Sequence, residues 1–114
     1  MSYGTDSKEL SSSYLDRIEQ EFQKLGTLGL SLMIASGDNG VGCSLLCDKF
    51  EPDTFWPATS PYITAVGATR FLTNNVTGPQ AGVNGYGASG YRSSGGFSEL
   101  YNVPDYQKSF TEHY

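Results

Sequence analysis

An aspartate between two glycine-containing turns is the residue of this sequence best placed to do chemistry. Asp38 lies in the segment Ser-Gly-Asp-Asn-Gly at 36–40, directly after an apolar run at 30–35. The composition of that run predicts a buried strand, and open α/β sheets place ligand-binding groups at the carboxyl ends of such strands. From position alone two interpretations stay open, a functional carboxyl group or a tight turn in which the aspartate caps neighbouring amides.

Two other patterns resemble catalytic or cofactor motifs but lack the context that those motifs need. Residues 85–90 match Gly-x-Gly-x-x-Gly, yet they follow a predicted loop, precede no helical pattern and have no acidic residue at the end of a second strand. We interpret them as a glycine-rich loop. His113 is the only histidine and stands one residue from the end, so we expect no Ser-His-Asp triad within this chain.

Metal binding has little support in the sequence. Cys43 and Cys47 have no second cysteine pair and no nearby histidine, which argues against zinc. We expect a disulfide, either between these two cysteines or to a segment outside the chain, with buried thiols as the alternative. Asp48, Glu51 and Asp53 lack the spacing and the turn glycine of an EF-hand, and a solvated acidic loop is expected there.

Charge and hydropathy exclude several classes of partner. Seven basic against twelve acidic residues give a net charge of -5, and no Lys/Arg cluster is present to neutralise phosphates or anionic lipid. The longest apolar run is too short to cross a bilayer. We therefore expect neither nucleic-acid nor membrane partners. Asn75 begins an Asn-Val-Thr glycosylation acceptor, which favours a secretory route although no signal peptide opens the sequence.

A helix is predicted before the strand that leads to Asp38. Apolar residues recur at steps of three and four between residues 14 and 28, the pattern of an amphipathic helix. Ser13 and Asp16 resemble a capping box at its start, and Gly26 or Gly29 is expected to end it. The polar side chains between the apolar positions are assigned to the solvent-facing side: Asp16, Arg17, Glu19, Gln20, Gln23 and Lys24.

Strands on either side of this helix complete the predicted fold. Residues 2–4 are typical of a strand end, the run at 30–35 predicts the next strand, and residues 62–67 predict a third. Strand, helix and strand in this order make a parallel βαβ unit. Segments 36–60 and 73–96 are rich in Gly, Asp, Asn and Ser and are predicted to be loops, with a short hairpin as an alternative within the second. The length bounds the chain to one domain or part of one.

Four segments occur in the order found in the sedolisin peptidases. They are Ser-Tyr-Gly at 2–4, Ala-Ser-Gly-Asp-Asn-Gly at 35–40, Phe-Trp-Pro-Ala-Thr-Ser-Pro-Tyr-Ile-Thr-Ala-Val-Gly at 55–67, and Ser-Ser-Gly-Gly-Phe-Ser at 93–98. With the predicted helix they span nearly the whole chain, and the pairing of the second and third segments is specific. The chain therefore resembles the sedolisin (serine-carboxyl peptidase) family, and Gly-Val-Gly-Cys at 40–43 is similar to its tripeptidyl-peptidase branch.

The resemblance implies a subtilisin-like α/β fold, a parallel sheet flanked by helices, of which residues 1–114 form a partial peptidase domain. It implies that Asp38 helps to form the oxyanion hole and that Tyr3 and Gly4 flank the acyl-side subsites. It pairs Cys43 with a cysteine of a later segment, whereas the second cysteine of this chain has no counterpart in the family pattern. Peptide or protein substrates and an acidic compartment, lysosomal or extracellular, follow from the same resemblance.

Other parts of the family's machinery have no match in the chain. Family members carry a catalytic Glu and Asp four residues apart on an early helix, a nucleophile in a Gly-Thr-Ser segment, and a calcium site in the carboxyl-terminal region. The chain has no Glu followed four residues later by Asp and no Gly-Thr-Ser. We therefore expect part of an acid-acting serine-type peptidase, endopeptidase or tripeptidyl-peptidase, that is inactive alone and holds no cofactor. The alternative is a catalytically inactive remnant that binds peptides or proteins. The Ser-Gly-Gly-Phe turn at 94–97 is assigned a structural role.

Overall fold

A computed structural model describes residues 1–41, 55–72, 77–78, 80–82 and 92–113. These residues form a mixed α/β arrangement of two helices and three two-stranded sheets. The helices are α1 (Ser12–Thr27) and α2 (Lys108–Thr111), and the strands are β1 (Thr5–Asp6), β2 (Met33–Ala35), β3 (Phe55–Trp56), β4 (Thr64–Val66), β5 (Thr69–Phe71) and β6 (Gln80–Gly82). No helix in these ranges is long and apolar enough to cross a membrane.

Parallel pairing follows the predicted strand, helix and strand order. β2 and β4 pair in parallel, with Ile34 opposite Ala65. At the other edge of β2, the amino group of Met1 donates to the Met33 carbonyl at 2.9 Å, and the Ala35 amide donates to the Met1 carbonyl at 3.1 Å. This is the hydrogen-bond pattern of a parallel pair. The start of the chain, β2 and β4 therefore lie side by side, and α1 connects the first two.

Of the antiparallel structure, the sequence indicates only a short hairpin within residues 73–96. β1 pairs with β3, where Thr5 lies opposite Trp56, and β5 pairs with β6. β3 falls within the predicted loop at 36–60 and β6 within the predicted loop at 73–96. Strands of two or three residues are too short to produce a periodic hydrophobic signal, so their pairing depends on the partner strand.

The first turn of α1 starts earlier than predicted. Ser11 is the N-cap, and its hydroxyl accepts a hydrogen bond from the Tyr14 amide at 3.3 Å. The capping box assigned to Ser13 and Asp16 is wrong, because both residues lie inside the helix. Three consecutive serines make the position of the cap ambiguous in sequence, and the backbone decides it, since Ser11 has the extended conformation that a cap requires.

The core of the described residues is centred on Trp56. Leu15, Ile34 and Trp56 are the buried hydrophobic residues in this part of the chain. The indole ring stacks on Phe22 of α1 with ring centroids 6.0 Å apart, and it meets Tyr14 edge-on at 6.3 Å. These offset and edge-on arrangements are the favoured geometries of aromatic pairs, so α1 is held against β3.

Glu19 lies on the buried side of α1, and its assignment to the solvent-facing side is wrong. Only 5% of its surface is exposed. One carboxylate oxygen accepts a hydrogen bond from the indole nitrogen of Trp56 at 3.1 Å, and the other accepts from the Ser60 hydroxyl at 2.6 Å. Hydrophobic periodicity sorts residues by type, whereas a carboxylate can be buried wherever donors meet it.

Tyr101 lies close to this buried carboxylate, and its own hydroxyl is buried without a hydrogen bond of ordinary length and angle. Burial, followed by the negative charge of Glu19, raises the pKa of Tyr101 to about 12. A raised pKa means that the folded state favours the neutral phenol. The resulting stabilisation is fully present below the ordinary value of 10.0 and is lost as the pH rises through about 12.

We predict that Tyr101→Phe flattens the alkaline loss of stability. The free energy of unfolding of the unmodified chain should fall between pH 10.0 and about 12, and that of the variant should fall less. At neutral pH the variant should be equally stable, or up to about 1 kcal/mol more stable, because it loses an unpaired buried hydroxyl. The measurement is urea unfolding followed by tryptophan fluorescence.

The matched control for this prediction is Tyr106→Phe. The Tyr106 hydroxyl donates to the Pro61 carbonyl at 2.7 Å, so its removal should cost about 0.5–1.5 kcal/mol at neutral pH. A loss of stability in Tyr101→Phe as large as that in Tyr106→Phe would show that the Tyr101 hydroxyl has a partner after all.

Candidate functional site

Asp38 lies just beyond the carboxyl end of β2, as predicted. β2 ends at Ala35, and Asp38 lies three residues beyond it and is exposed. Gly37 adopts a φ of 105°, which side-chain-bearing residues rarely adopt. A Cβ at Gly37 would also lie 3.0 Å from the Ser94 hydroxyl oxygen. Both facts explain why glycine precedes the aspartate.

Residues 92–94 hold this turn from one side, and we call them the clamp segment. The Arg92 amide donates to the Asp38 carbonyl at 2.7 Å, and the Ser94 amide donates to the Gly37 carbonyl at 3.0 Å. The Ser94 hydroxyl in turn accepts from the Asn39 amide at 3.0 Å. The main chain on both sides of Asp38 is therefore fixed by hydrogen bonds, and the aspartate side chain is left exposed.

A single cleft collects three residues that the sequence assigned to the site. Tyr3, Gly4 and Asp38 all line a cleft of about 310 Å³ between the start of the chain, the turn after β2, and β3. Ile34 and Phe55 form an apolar wall of the cleft. Tyr3 is 88% exposed. Clefts with apolar walls and a few polar groups are the usual form of a binding site.

Close packing of main chain defines one side of this cleft. A Cβ at Gly4 would lie 2.7 Å from the carbonyl oxygen of Trp56 and 3.5 Å from the Cβ of Phe55. A Cβ–oxygen distance of 2.7 Å is not tolerated, so any other residue at position 4 would force β3 away. Glycine is therefore required here by the approach of the two chain segments.

Several predicted features lie outside the described residues, so their roles stay predictions. They are Cys43, Cys47, Asn75, the acidic residues Asp48, Glu51 and Asp53, and the glycine-rich segment 85–90. Within the ranges that the structure describes, no three His, Cys, Asp or Glu side chains come together as a metal site would require.

Sequence reasoning missed the contact between the clamp segment and the aspartate turn. The glycine-rich segment at 94–97 was assigned a structural role, and the structure shows that Ser94 at its start binds the Asp38 turn. Ser94 is buried at 9% exposure. The one sequence indication of this contact is that both segments occur in the family pattern. No local pattern links residues so far apart.

Comparison with curated proteins relates the chain to mammalian peptidases. It is 39% identical to tripeptidyl-peptidase 1 of Rattus norvegicus and 37% identical to that of Homo sapiens, each over 113 residues that cover 95% of this chain. The Bos taurus protein of the same name is 36% identical over an alignment of 119 positions, which covers 100% of this chain. Nearly the whole chain is therefore similar to a segment of these sedolisin-family enzymes. No family model matches the chain, so this similarity rests on the relatives and confirms the predicted resemblance.

The chain spans 18–19% of the length of the curated relatives it matches. Because the Bos taurus match covers the whole chain, it includes both the Asp38 turn and the clamp segment. The relatives therefore share the region in which the cleft lies.

We predict that Ser94→Ala weakens the aspartate turn. The substitution leaves the part-buried Asn39 amide without its acceptor, which should lower the free energy of unfolding by about 1–2 kcal/mol. Urea unfolding followed by the fluorescence of Trp56, the single tryptophan, measures the change. Ser31→Ala, at an exposed position, is the control. Equal unfolding midpoints for both variants would show that the serine hydroxyl contributes nothing to the turn.

Proposed function

We propose that this chain forms part of the catalytic domain of an acid-acting serine-type peptidase that cleaves peptide or protein substrates by acyl transfer. In this proposal Asp38 contributes to the oxyanion hole, and Tyr3 and Gly4 belong to the substrate cleft. The observation that carries the proposal is the cleft of about 310 Å³ that these three residues share. The names of the relatives, tripeptidyl-peptidase 1, support the same reaction class.

The proposed role of Asp38 follows from the charge that acyl transfer creates. The tetrahedral intermediate carries negative charge on oxygen, and a group that faces this oxygen must donate a hydrogen bond. A protonated carboxyl group has an O–H to donate, whereas a carboxylate has none and repels the charge. The proposal therefore assigns the activity to an acidic setting, lysosomal or extracellular, in accordance with the family pattern.

Rigid support of the aspartate is consistent with this role. Stabilisation of a transition state is strongest when the donor is held in place before the reaction, so that no reorganisation is needed. The bonds from Arg92 and Ser94 to the turn supply that rigidity on both sides of Asp38. The exposed side chain keeps access to the cleft.

The cleft suits a peptide that brings an apolar side chain. Phe55 and Ile34 line it beside the exposed Tyr3 ring, and apolar and aromatic walls bind substrate side chains by excluding water. We place the acyl side of the substrate beside Tyr3 and Gly4, in accordance with the family pattern.

We further propose that the whole protein has a subtilisin-like parallel sheet flanked by helices, with residues 1–114 as part of one peptidase domain. The parallel arrangement of Met1, β2 and β4 with α1 between the first two supports this larger fold. The calcium that the family implies finds no matching ligand group among the described residues, so no step of the mechanism proceeds through it.

The isolated chain should hydrolyse no peptide at any pH. An oxyanion donor without a nucleophile and a base has no intermediate to stabilise. The assay uses internally quenched peptides and tripeptide-releasing substrates from acid to neutral pH. Turnover that a serine-directed phosphonate abolishes would contradict the prediction. Peptide binding without turnover is expected both for a fragment of a peptidase and for a remnant that only binds peptides. The Asp38 variants described next distinguish these two hypotheses.

In a polypeptide that joins this chain to the family's catalytic Glu, Asp and Ser segments, Asp38→Ala should lower kcat by roughly 10²–10³, the usual cost of one oxyanion donor. Asp38→Asn should retain part of the activity and lose less of it toward neutral pH, because an amide donates at every pH. Profiles of kcat against pH give the measurement, with the exposed Asp105→Asn as control. Asp38 has no catalytic role if Asp38→Ala keeps the kcat and the pH profile of the unmodified enzyme.

A further inference from the structure

We propose that Glu19 is a positioning residue for the peptide cleft. From α1 it binds Trp56 and Ser60, and in this way it holds β3 and the segment that follows in the place where they wall the cleft. The claim that this cleft binds a peptide rests on the proposed function. The placement of β3 by Glu19 does not depend on it.

The environment of Glu19 shows why its contacts are strong. A carboxylate taken out of water must have its oxygens met by donors, or its burial is costly. Each Glu19 oxygen accepts one hydrogen bond, from the Trp56 indole at 3.1 Å and from the Ser60 hydroxyl at 2.6 Å. A distance of 2.6 Å is typical of a hydroxyl bound to a charged oxygen, and such bonds are about twice as strong as neutral ones.

Both ends of the segment 56–60 are therefore hydrogen-bonded to the same carboxylate. Trp56 and Ser60 are four residues apart, and both are buried, at 8% and 4% exposure. Between them lies Ala58, which lines the cleft. The Ser60 amide also donates to the Pro57 carbonyl at 3.0 Å, which closes the segment into a turn. A displacement of Glu19 would thus move the cleft wall at Ala58 from both sides.

β3 connects the contact between Glu19 and Trp56 to Phe55, the aromatic residue in the cleft wall. Consecutive side chains of a strand point to opposite faces. The Trp56 ring packs on Phe22 of α1, and Phe55 lies on the cleft side, where its Cδ2 would be 3.4 Å from a Cβ at Gly37. A displacement of the β3 main chain at Trp56 would therefore also displace the Phe55 ring in the cleft.

β3 and the start of the chain are packed so closely that a movement of β3 must also move the start of the chain. Because a Cβ at Gly4 would lie only 2.7 Å from the Trp56 carbonyl oxygen, the two segments already touch through their main chains. A shift of Trp56 by a fraction of an ångström would change the side of the cleft formed by Tyr3 and Gly4. The buried carboxylate and the substrate cleft are in this way mechanically connected.

Glu19→Gln tests the proposal sharply because it preserves shape. The amide keeps one acceptor oxygen and replaces the other by an NH₂ group, which cannot accept a hydrogen bond. Because the Ser60 hydroxyl can reverse and accept from that NH₂ group, the variant keeps both contacts but removes the negative charge that strengthens them. Glu21→Gln is the matched control on the same helix, since Glu21 is part-exposed and pairs with Lys24 at 2.9 Å.

The first measurement is the NMR signal of the indole N–H in the 114-residue chain, which has a single tryptophan. We expect Glu19→Gln to move this signal upfield, because a neutral oxygen is a weaker acceptor, and to shift the amide signals of Phe55 and Gly4. Glu21→Gln should leave all three in place. Unchanged Phe55 and Gly4 signals in Glu19→Gln would overturn the proposal.

Ser60→Ala is the second variant, and it keeps the carboxylate and the Trp56 bond intact. It should shift the Ala58 amide while the indole signal stays close to that of the unmodified chain, so the two anchors are tested separately if Glu19→Gln folds poorly. An unshifted Ala58 amide in this variant would overturn the proposed tie at Ser60.

The second measurement is peptide affinity, followed by Trp56 fluorescence with peptides that carry an apolar side chain. Glu19→Gln should bind about tenfold more weakly, which corresponds to about 1.4 kcal/mol, and Glu21→Gln should bind as the unmodified chain does. Equal affinity in Glu19→Gln, despite a shifted indole signal, would overturn the role of Glu19 in the cleft. Failure of the unmodified chain to bind any peptide would overturn the proposed function instead, while shifted Phe55 and Gly4 signals would still support the placement of β3 by Glu19.

Discussion

The contact between Trp56 and α1 is the interaction on which the described structure depends. Trp56 is one of three buried hydrophobic residues in the described ranges, and its indole makes ring contacts with two aromatic residues and a hydrogen bond with Glu19. A buried aromatic side chain of this size removes about 150–250 Å² from water. β1 and β3 have two residues each, and pairs so short are marginal without packing against another element. The helix supplies that packing.

The cleft is assembled from segments that are far apart in the sequence. One side is the β1 and β3 pair, which the helix holds through Trp56, and another is the Asp38 turn, which the clamp segment holds through Ser94. The first support uses aromatic packing and a buried carboxylate, and the second uses main-chain hydrogen bonds and the Ser94 hydroxyl. Tyr3, Gly4 and Asp38 can share a cleft only because both supports are present.

Family resemblance and site geometry agree although they rest on different observations. The curated relatives are similar to nearly the whole chain, and the cleft arises from the contacts of particular residues. The parallel sheet is consistent with a larger fold around it. Ile34 of β2 is buried at 3% exposure, whereas Met33 is 62% exposed and all three residues of β4 are exposed, so the described residues cover the sheet only in part. Our proposal of a subtilisin-like sheet predicts that further helices pack on the exposed parts of it.

The sequence by itself determined the features that local patterns encode. Periodic apolar residues predicted α1, short apolar runs predicted β2 and β4, and the Ser-Gly-Asp-Asn-Gly segment located Asp38 at the end of a strand. Only the tertiary structure decided that Ser11 caps α1, that β1 pairs with β3, and that Glu19 is buried. The donors that stabilise Glu19 lie 37 and 41 residues away in the sequence. A carboxylate therefore has the pattern of a surface residue until the fold brings those donors to it, because hydrophobic periodicity reports the type of a side chain and not its distant partners.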